Sequence, residues 1–427
     1  MSLVDERVPA PAAGLAVTAL LASVLSASVL PGAPAHAAPA RTAPRAAGVP
    51  IALPPPTGRH PIGTADLHLV AAHQDPWRPS EKRELMVTVT YPAQGGGERA
   101  PWLPPGVADV FDRIDPSLPP GAVDWAGARR HARTSAPVDR SRGGWPVVLF
   151  SHGFGTQREF GSVLADDLAA HGYVVVSVSH THEAGAVEFP GGRVVTRSVG
   201  SDPAALRTAL DARVADSRFV LDVLARLDRG ENPDAERDPL PRGLAGSLDL
   251  SAVGMFGHSY GGFTAGETMY HDRRVDAGIN LDGGMAAGDG NDPGKIVQHG
   301  VDGPFLLVGS DIVDPATGRV HEHSHLDTEL DPTWNRFWAN QRAWKRDLHF
   351  DGAAHNSFTD LQAVVPQLSH LLTPEQREQM IGDIDPRRSL RAQRDYVAAF
   401  FDLHLKHRDR HLFRHDNPRH PDTRFIT

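Results

Sequence analysis

Ser259 lies in Gly257-His258-Ser259-Tyr260-Gly261, a G-x-S-x-G signature whose chemistry is attack by a serine hydroxyl. A hydroxyl is a weak nucleophile, so it needs a base to take its proton and an acid to orient that base. Gly257 and Gly261 let the backbone cross itself tightly, and Gly262 lets a helix pack closely on the preceding strand. The serine then occupies the apex of a sharp turn, with the Tyr260 N–H at the helix start facing the developing oxyanion. Among 23 histidines, His355 in Asp351-Gly352-Ala353-Ala354-His355-Asn356-Ser357-Phe358 has the position of a base, just past the last apolar strand. His271 and the cluster from His404 to His420 read as exposed residues on helix ends and tail. Two acids are open on position alone: Asp282, heading Asp282-Gly283-Gly284, and Asp311, after the strand Phe305–Val308.

A second constellation competes. His321-Glu322-His323-Ser324-His325 satisfies H-E-x-x-H, in which His321 and His325 would bind zinc from one helix face and Glu322 would act as base. The context argues for a polar loop with chance spacing: Pro315 and Gly318 precede it, Asp331-Pro332 follows, and no apolar stripe runs through it. Trp334, Trp338 and Trp344 read as helix packing. His180 and His182 follow an apolar strand as loop residues that could line a pocket mouth.

The elements that must position the serine are legible around it. Leu250–Phe256 is a short buried strand, and Phe263–Tyr270 opens a helix. Val147–Ser151, Tyr173–Val178, Ala277–Leu281, Phe305–Val308 and Asp347–Phe350 are further strands. Their continuous apolar character predicts a parallel sheet covered on both faces. Phe160, Val163, Leu164 and Leu168 stripe one helix. Asp202-Pro203 caps a long one ending at Gly230, Thr373-Pro374-Glu375-Gln376 is a capping box, and Asp385-Pro386 opens the last helix. Ahead of these, Thr64–Val70 and Glu84–Tyr91 alternate as paired strands. The pattern is α/β, one doubly wound, mostly parallel sheet with helices on both faces, spanning residues 63–427.

Bulk properties narrow the function. A formal net charge of −9 argues against a dedicated nucleic-acid partner, and the absence of cysteine excludes a thiol nucleophile and Cys-ligated metal. Gly14–Leu30 is an Ala/Leu/Val run followed by Ala35-His36-Ala37, which predicts a signal peptide over 1–37 and a secreted protein. Residues 38–62, rich in Ala and Pro, read as an extended linker. Ala100–Gly144, with Trp102, Trp125 and Arg129, Arg130, Arg133, Arg140 and Arg142, reads as an irregular solvated excursion. Its sharper alternative is a cap over the active site.

The stretches Val148-Leu149-Phe150-Ser151-His152-Gly153-Phe154-Gly155, Ala170-His171-Gly172-Tyr173, Gly257–Gly262, Asn280-Leu281-Asp282-Gly283 and His355-Asn356-Ser357-Phe358-Thr359-Asp360 together resemble the platelet-activating-factor acetylhydrolase group of α/β-hydrolases, plasma and intracellular isoform II, which includes secreted bacterial members. The resemblance spans about Gly63 to Leu405. It implies the α/β-hydrolase fold, selects Asp282 over Asp311 as the acid, and places the second oxyanion donor at the Phe154 N–H, beside that of Tyr260. It departs at Tyr260, where Phe is common, and over Ala100–Gly144, which has no match to a membrane-docking surface. The expected function is therefore a serine carboxylic-ester hydrolase, with Ser259 as nucleophile, His355 as base and Asp282 as orienting acid. The substrate would be a small-molecule or lipid ester. Peripheral contact with a lipid surface is a candidate interaction, and no metal or organic cofactor is required. A serine peptidase or amidase on the same fold, and a zinc peptidase using His321, Glu322 and His325, are the alternatives.

Overall fold

The computed structural model describes residues 48–114, 118–141, 143–288, 292–314 and 317–427. The signal-peptide reading over 1–37, the first part of the linker, Arg142 and Pro315 lie outside the described residues. A 12-stranded sheet runs, edge to edge, through Val49–Ala52, Val123–Thr134, Ile62–Gln74, Lys82–Pro92, Val174–Ser179, Trp145–Ser151, Leu248–His258, Ala277–Leu281, Phe305–Gly309, Lys345–Phe350 and Thr423–Phe425, with Arg99–Pro101 paired to Val123–Thr134. From Val174–Ser179 to Lys345–Phe350 every pairing is parallel.

Alternation along these strands builds a core on each face. Val147, Leu149, Val253, Met255, Phe305 and Leu307 pack on one side with helices Pro203–Asp228, Tyr260–His271 and Pro332–Asn340. Val148, Phe150, Phe256, Ile279, Leu306 and Val308 pack on the other with Ser162–Ala170 and Pro386–Leu405. Strands buried on both faces cannot alternate apolar with polar, which is why they read as continuous runs. The caps are local: Asp202 accepts from Ala205 N, Asp385 accepts from Arg388 N, and Thr373 with Gln376 closes a reciprocal box. Among the described residues, no helix is long and apolar enough to cross a membrane.

Two stretches differ from the sequence reading. Val49–Ala52 is an edge strand parallel to Val123–Thr134, with Ile51 and Leu53 buried, so the described part of the expected linker belongs to the fold. Ala100–Gly144 is not an irregular excursion, since it carries the helix Pro105–Ile114 and the second strand of the sheet. Trp102 is buried and its Nε1–H donates to Asp360 Oδ2 at 2.9 Å and to the Glu159 carbonyl at 3.1 Å. Arg130, on the strand's inward face, is buried against Asp166. An arginine pointing inward, with Ala128 and Ala132 on either side of it, hides the alternation on which strand recognition depends.

Candidate active site

Ser259 ends the strand Leu248–His258 and starts the helix Tyr260–His271, with φ 56° and ψ −126°, a conformation that costs an L-residue free energy. The glycines around it are required by contact. A Cβ on Gly257 would lie 2.2 Å from the Gly261 carbonyl carbon, and one on Gly261 would lie 1.9 Å from the Ser151 oxygen. The serine N–H donates to the Leu281 carbonyl at 2.8 Å, which ties the turn to the end of the next strand.

Asp282 follows that strand, also in the left-handed region at φ 60°. Its carboxylate is buried and takes four hydrogen bonds. Oδ2 accepts from His355 Nδ1 at 2.7 Å and from Ser310 Oγ at 2.7 Å; Oδ1 accepts from Ser310 N at 2.9 Å and from His323 Nδ1 at 2.8 Å. Burial works against its charge, but His323 and then His355 outweigh burial and hold the carboxyl well below the usual carboxylate range.

His355 opens a short turn after the strand Lys345–Phe350. With Nδ1 on Asp282, its Nε2 is free, buried and without a hydrogen-bond partner. The ring of His258 lies against it, centroids 4.6 Å apart, and His258 Nε2–H donates to the His355 carbonyl at 2.9 Å. Burial, followed by the neighbouring His355, pushes His258 down to about 3, so it acts there as a neutral donor. The structure thus brings Ser259, Asp282 and His355 to adjacent loops at the carboxyl ends of parallel strands. The other acid, Asp311, is bonded elsewhere, to His349 Nε2 at 2.9 Å and to Gly352 N at 2.8 Å.

The loop His152-Gly153-Phe154-Gly155 closes the site from the other side. A Cβ on Gly153 would lie 3.3 Å from Ser259 Cβ, and the Phe154 ring meets Tyr260 edge-on at 5.8 Å. The backbone N–H groups of Phe154 and Tyr260 make no hydrogen bond among the described residues, Tyr260 standing at a helix first turn that leaves its N–H unsatisfied. Behind the loop is a fully buried pair: Arg213 holds Glu183 bidentately, Glu183 Oε1 accepts from Gly155 N at 3.2 Å, and Arg213 Nη1 donates to the His152 carbonyl at 2.7 Å and to Ser151 Oγ at 3.0 Å. His180 extends the network from Ser151 to Asp216, and Arg83 joins Asp216 to Asp75. His180 is therefore a buried connector; His182 lines a polar cavity of about 360 Å³ with Asp75, Arg78 and Arg193.

His321 and Glu322 are on a hairpin, Asp311–Val313 against Val320–Glu322, with no helix beneath them. Glu322 pairs with Arg424, and His325 Nδ1 bonds Asp347 at 2.7 Å while stacking on Trp338. Among the described residues, no group of three or more His, Cys, Asp or Glu is arranged to hold a metal. The middle residue, His323, which the zinc pattern does not use, is the one that reaches the site. Sequence reasoning passed over it; a histidine shortly ahead of the helix cap Asp331 was the available signal. His420, expected to be exposed, is 3% exposed and pairs with Asp395.

Comparison with known proteins agrees with this architecture. Residues 52–191 and 200–418 match the family described as platelet-activating factor acetylhydrolase, isoform II. The chain is 28% identical over 397 residues to a probable 1-alkyl-2-acetylglycerophosphocholine esterase of Arthroderma benhamiae, covering 88% of this chain and 93% of the relative. It is 30% identical over 280 residues to platelet-activating factor acetylhydrolase of Bos taurus, covering 61% of this chain and 57% of that one. A ferulic acid esterase from Streptomyces cinnamoneus superposes with a TM-score of 0.69 at 35% identity, covering 88% of this chain and 99% of the other. With its parallel sheet, its strand-to-helix serine turn and these relatives, the chain is an ester hydrolase of the α/β-hydrolase fold and belongs to the platelet-activating factor acetylhydrolase isoform II family.

Proposed function

We propose that the chain is a secreted serine carboxylic-ester hydrolase working through an acyl-enzyme. The observation that carries the reading is the 2.7 Å contact of His355 Nδ1 with a buried carboxylate, which leaves Nε2 unpartnered beside a strained serine turn. His355 Nε2 takes the Ser259 proton as Oγ attacks the ester carbonyl. The tetrahedral oxygen is received by the Phe154 and Tyr260 N–H groups, neither of which is otherwise engaged among the described residues. His355 then returns the proton to the leaving alcohol, and a water repeats the sequence on the acyl-serine. Asp282 fixes the Nδ1–H tautomer and stabilises the imidazolium. None of these steps calls on a metal or an organic cofactor.

The relatives support a small or lipid ester as substrate. One is named as a 1-alkyl-2-acetylglycerophosphocholine esterase and one as a ferulic acid esterase, names that cover a lipid ester and an ester of a small aromatic acid. Secretion rests on the sequence over 1–37, and peripheral contact with a lipid surface would bring a lipid ester to the site. Hydrolysis of nitrophenyl esters from acetate to palmitate tests the reading, with Ser259→Ala alongside. Activity peaking at short acyl chains and falling on the order of 10⁶-fold in kcat in Ser259→Ala is expected. Undiminished turnover in that variant, or a Ser259 that a fluorophosphonate does not label, would remove the mechanism.

A further inference from the structure

We infer that His323 and Asp331 are positioning residues for the proposed reaction, a second imidazole and its anchor set on the carboxylate that orients His355. The inference rests on Ser259, His355 and Asp282 acting as proposed. His323 donates from both ring nitrogens, Nδ1 to Asp282 Oδ1 at 2.8 Å and Nε2 to Asp331 Oδ2 at 3.1 Å. Carboxylates accept only, so both nitrogens carry protons and the ring is cationic. Burial disfavours that charge, but Asp282 and then Asp331 outweigh it and push His323 up to about 10.

The helix Pro332–Asn340 supplies the mounting. Its cap, Asp331, is held by Thr333 N at 2.8 Å and by the Thr333 hydroxyl. Two residues into the helix, Trp334 stacks on the His323 ring with centroids 3.9 Å apart and planes at 25°, while its Nε1–H donates to the Gly283 carbonyl at 2.8 Å, next to Asp282. One helix start therefore fixes the ring, its counter-charge and the backbone beside the acid.

The consequence is electrostatic. In a two-member Asp–His pair the whole carboxylate charge faces the base and stabilises its protonated, inactive form. Here the charge of Asp282 is shared between His355 on one oxygen and a fixed cation on the other. Removing that cation would return the whole charge of Asp282 to the base. The titratable groups facing this line among the described residues are Asp282, His258, which is neutral, and Asp331. His323 is buried, and among the described residues no other acid or base bonds to it.

The test is the pH dependence of kcat/KM on a nitrophenyl ester for the full chain, His323→Gln and the pair His323→Gln/Asp331→Asn. Thermal melting and fluorophosphonate labelling of Ser259 accompany each. In His323→Gln the acid limb should move up by about one pH unit, the scale of a charge some ångströms away in a medium of effective dielectric near 20, with the alkaline plateau retained within about tenfold. The paired variant buries no lone charge, so it reports even where His323→Gln fails to fold, and its limb should move up by less. A limb that stays in place in either folded variant, with kcat reduced equally at all pH, would make His323 merely structural and overturn the inference. Loss of Ser259 labelling in the unaltered chain would instead strike the proposed mechanism.

Discussion

Glu183→Gln is the sharpest perturbation of the loop proposed to receive the oxyanion. Glu183 and Arg213 are both fully buried, and between them they hold the two ends of His152–Gly155 by backbone atoms: Gly155 N on Glu183 Oε1 at 3.2 Å, and the His152 carbonyl on Arg213 Nη1 at 2.7 Å. The amide keeps an acceptor for Gly155 but leaves a buried guanidinium without its counter-charge, which costs about 3–5 kcal/mol. With an unfolding entropy of about 0.8 kcal/mol/K for a chain of this size, Tm should fall by about 4–6 °C. The guanidinium will shift toward whatever acceptor remains and carry His152 with it. A displacement near 1 Å at an oxyanion donor costs about 10²-fold, so kcat should fall by about that factor while KM changes less than about threefold. The double variant Glu183→Leu/Arg213→Met removes the buried charges as a pair. It should recover most of the Tm but not the kcat, because the backbone anchors are gone. Thermal melts and steady-state kinetics on a nitrophenyl ester give both numbers. A Glu183→Gln protein that melts within about 1 °C of the original and turns over within about twofold would refute the claim that this pair positions the loop.

Asp282→Asn should lower kcat by about 10⁴-fold by favouring the wrong tautomer of His355, whereas Asp311→Asn, bonded to His349 and Gly352, should cost less than about tenfold; steady-state kinetics on the two variants decide between the acids. Stability should fall in alkali through His323. Its folded value of about 10 lies above the unfolded 6.5, so its contribution is complete below about pH 6.5 and is lost as pH rises through about 10. Melting curves from pH 6 to 10 should show that slope, and His323→Gln should flatten it. Prolonged dialysis against a chelator should leave ester hydrolysis unchanged, since His321 and Glu322 sit on a hairpin strand and His325 in the turn beyond it, with Glu322 paired to Arg424 and His325 bonded to Asp347.

The central sheet was legible because its strands are buried on both faces: Ala277–Leu281 has the same ends in sequence and in structure. The caps at Asp202, Thr373 and Asp385 were legible for a similar reason, since each is a local bond between residues three apart. Where tertiary pairing decides, the sequence is silent. Val123–Thr134 hides behind Arg130, whose inward position makes sense only once Asp166 is opposite it. The same holds in the site. The Ser259 turn announces itself by adjacent glycines, but whether Asp282 or Asp311 meets His355 depends on two loops far apart in sequence, and position alone left both open. His323 was harder to see for a further reason. Its neighbours His321, Glu322 and His325 form a familiar pattern, and the residue between them becomes meaningful only when the helix Pro332–Asn340 delivers Asp331 and Trp334 to it.

The positive φ at Ser259 sets durability against the proposed function at a single position. A left-handed conformation costs a residue with a Cβ about 1–2 kcal/mol, a cost that glycine escapes, less the extra freedom glycine regains when unfolded. On the proposed mechanism a Ser259→Gly chain loses turnover, yet it should be at least as hard to unfold as the unaltered chain. Selection for heat resistance with no activity step would drift toward glycine here, and the serine persists only while something downstream depends on turnover.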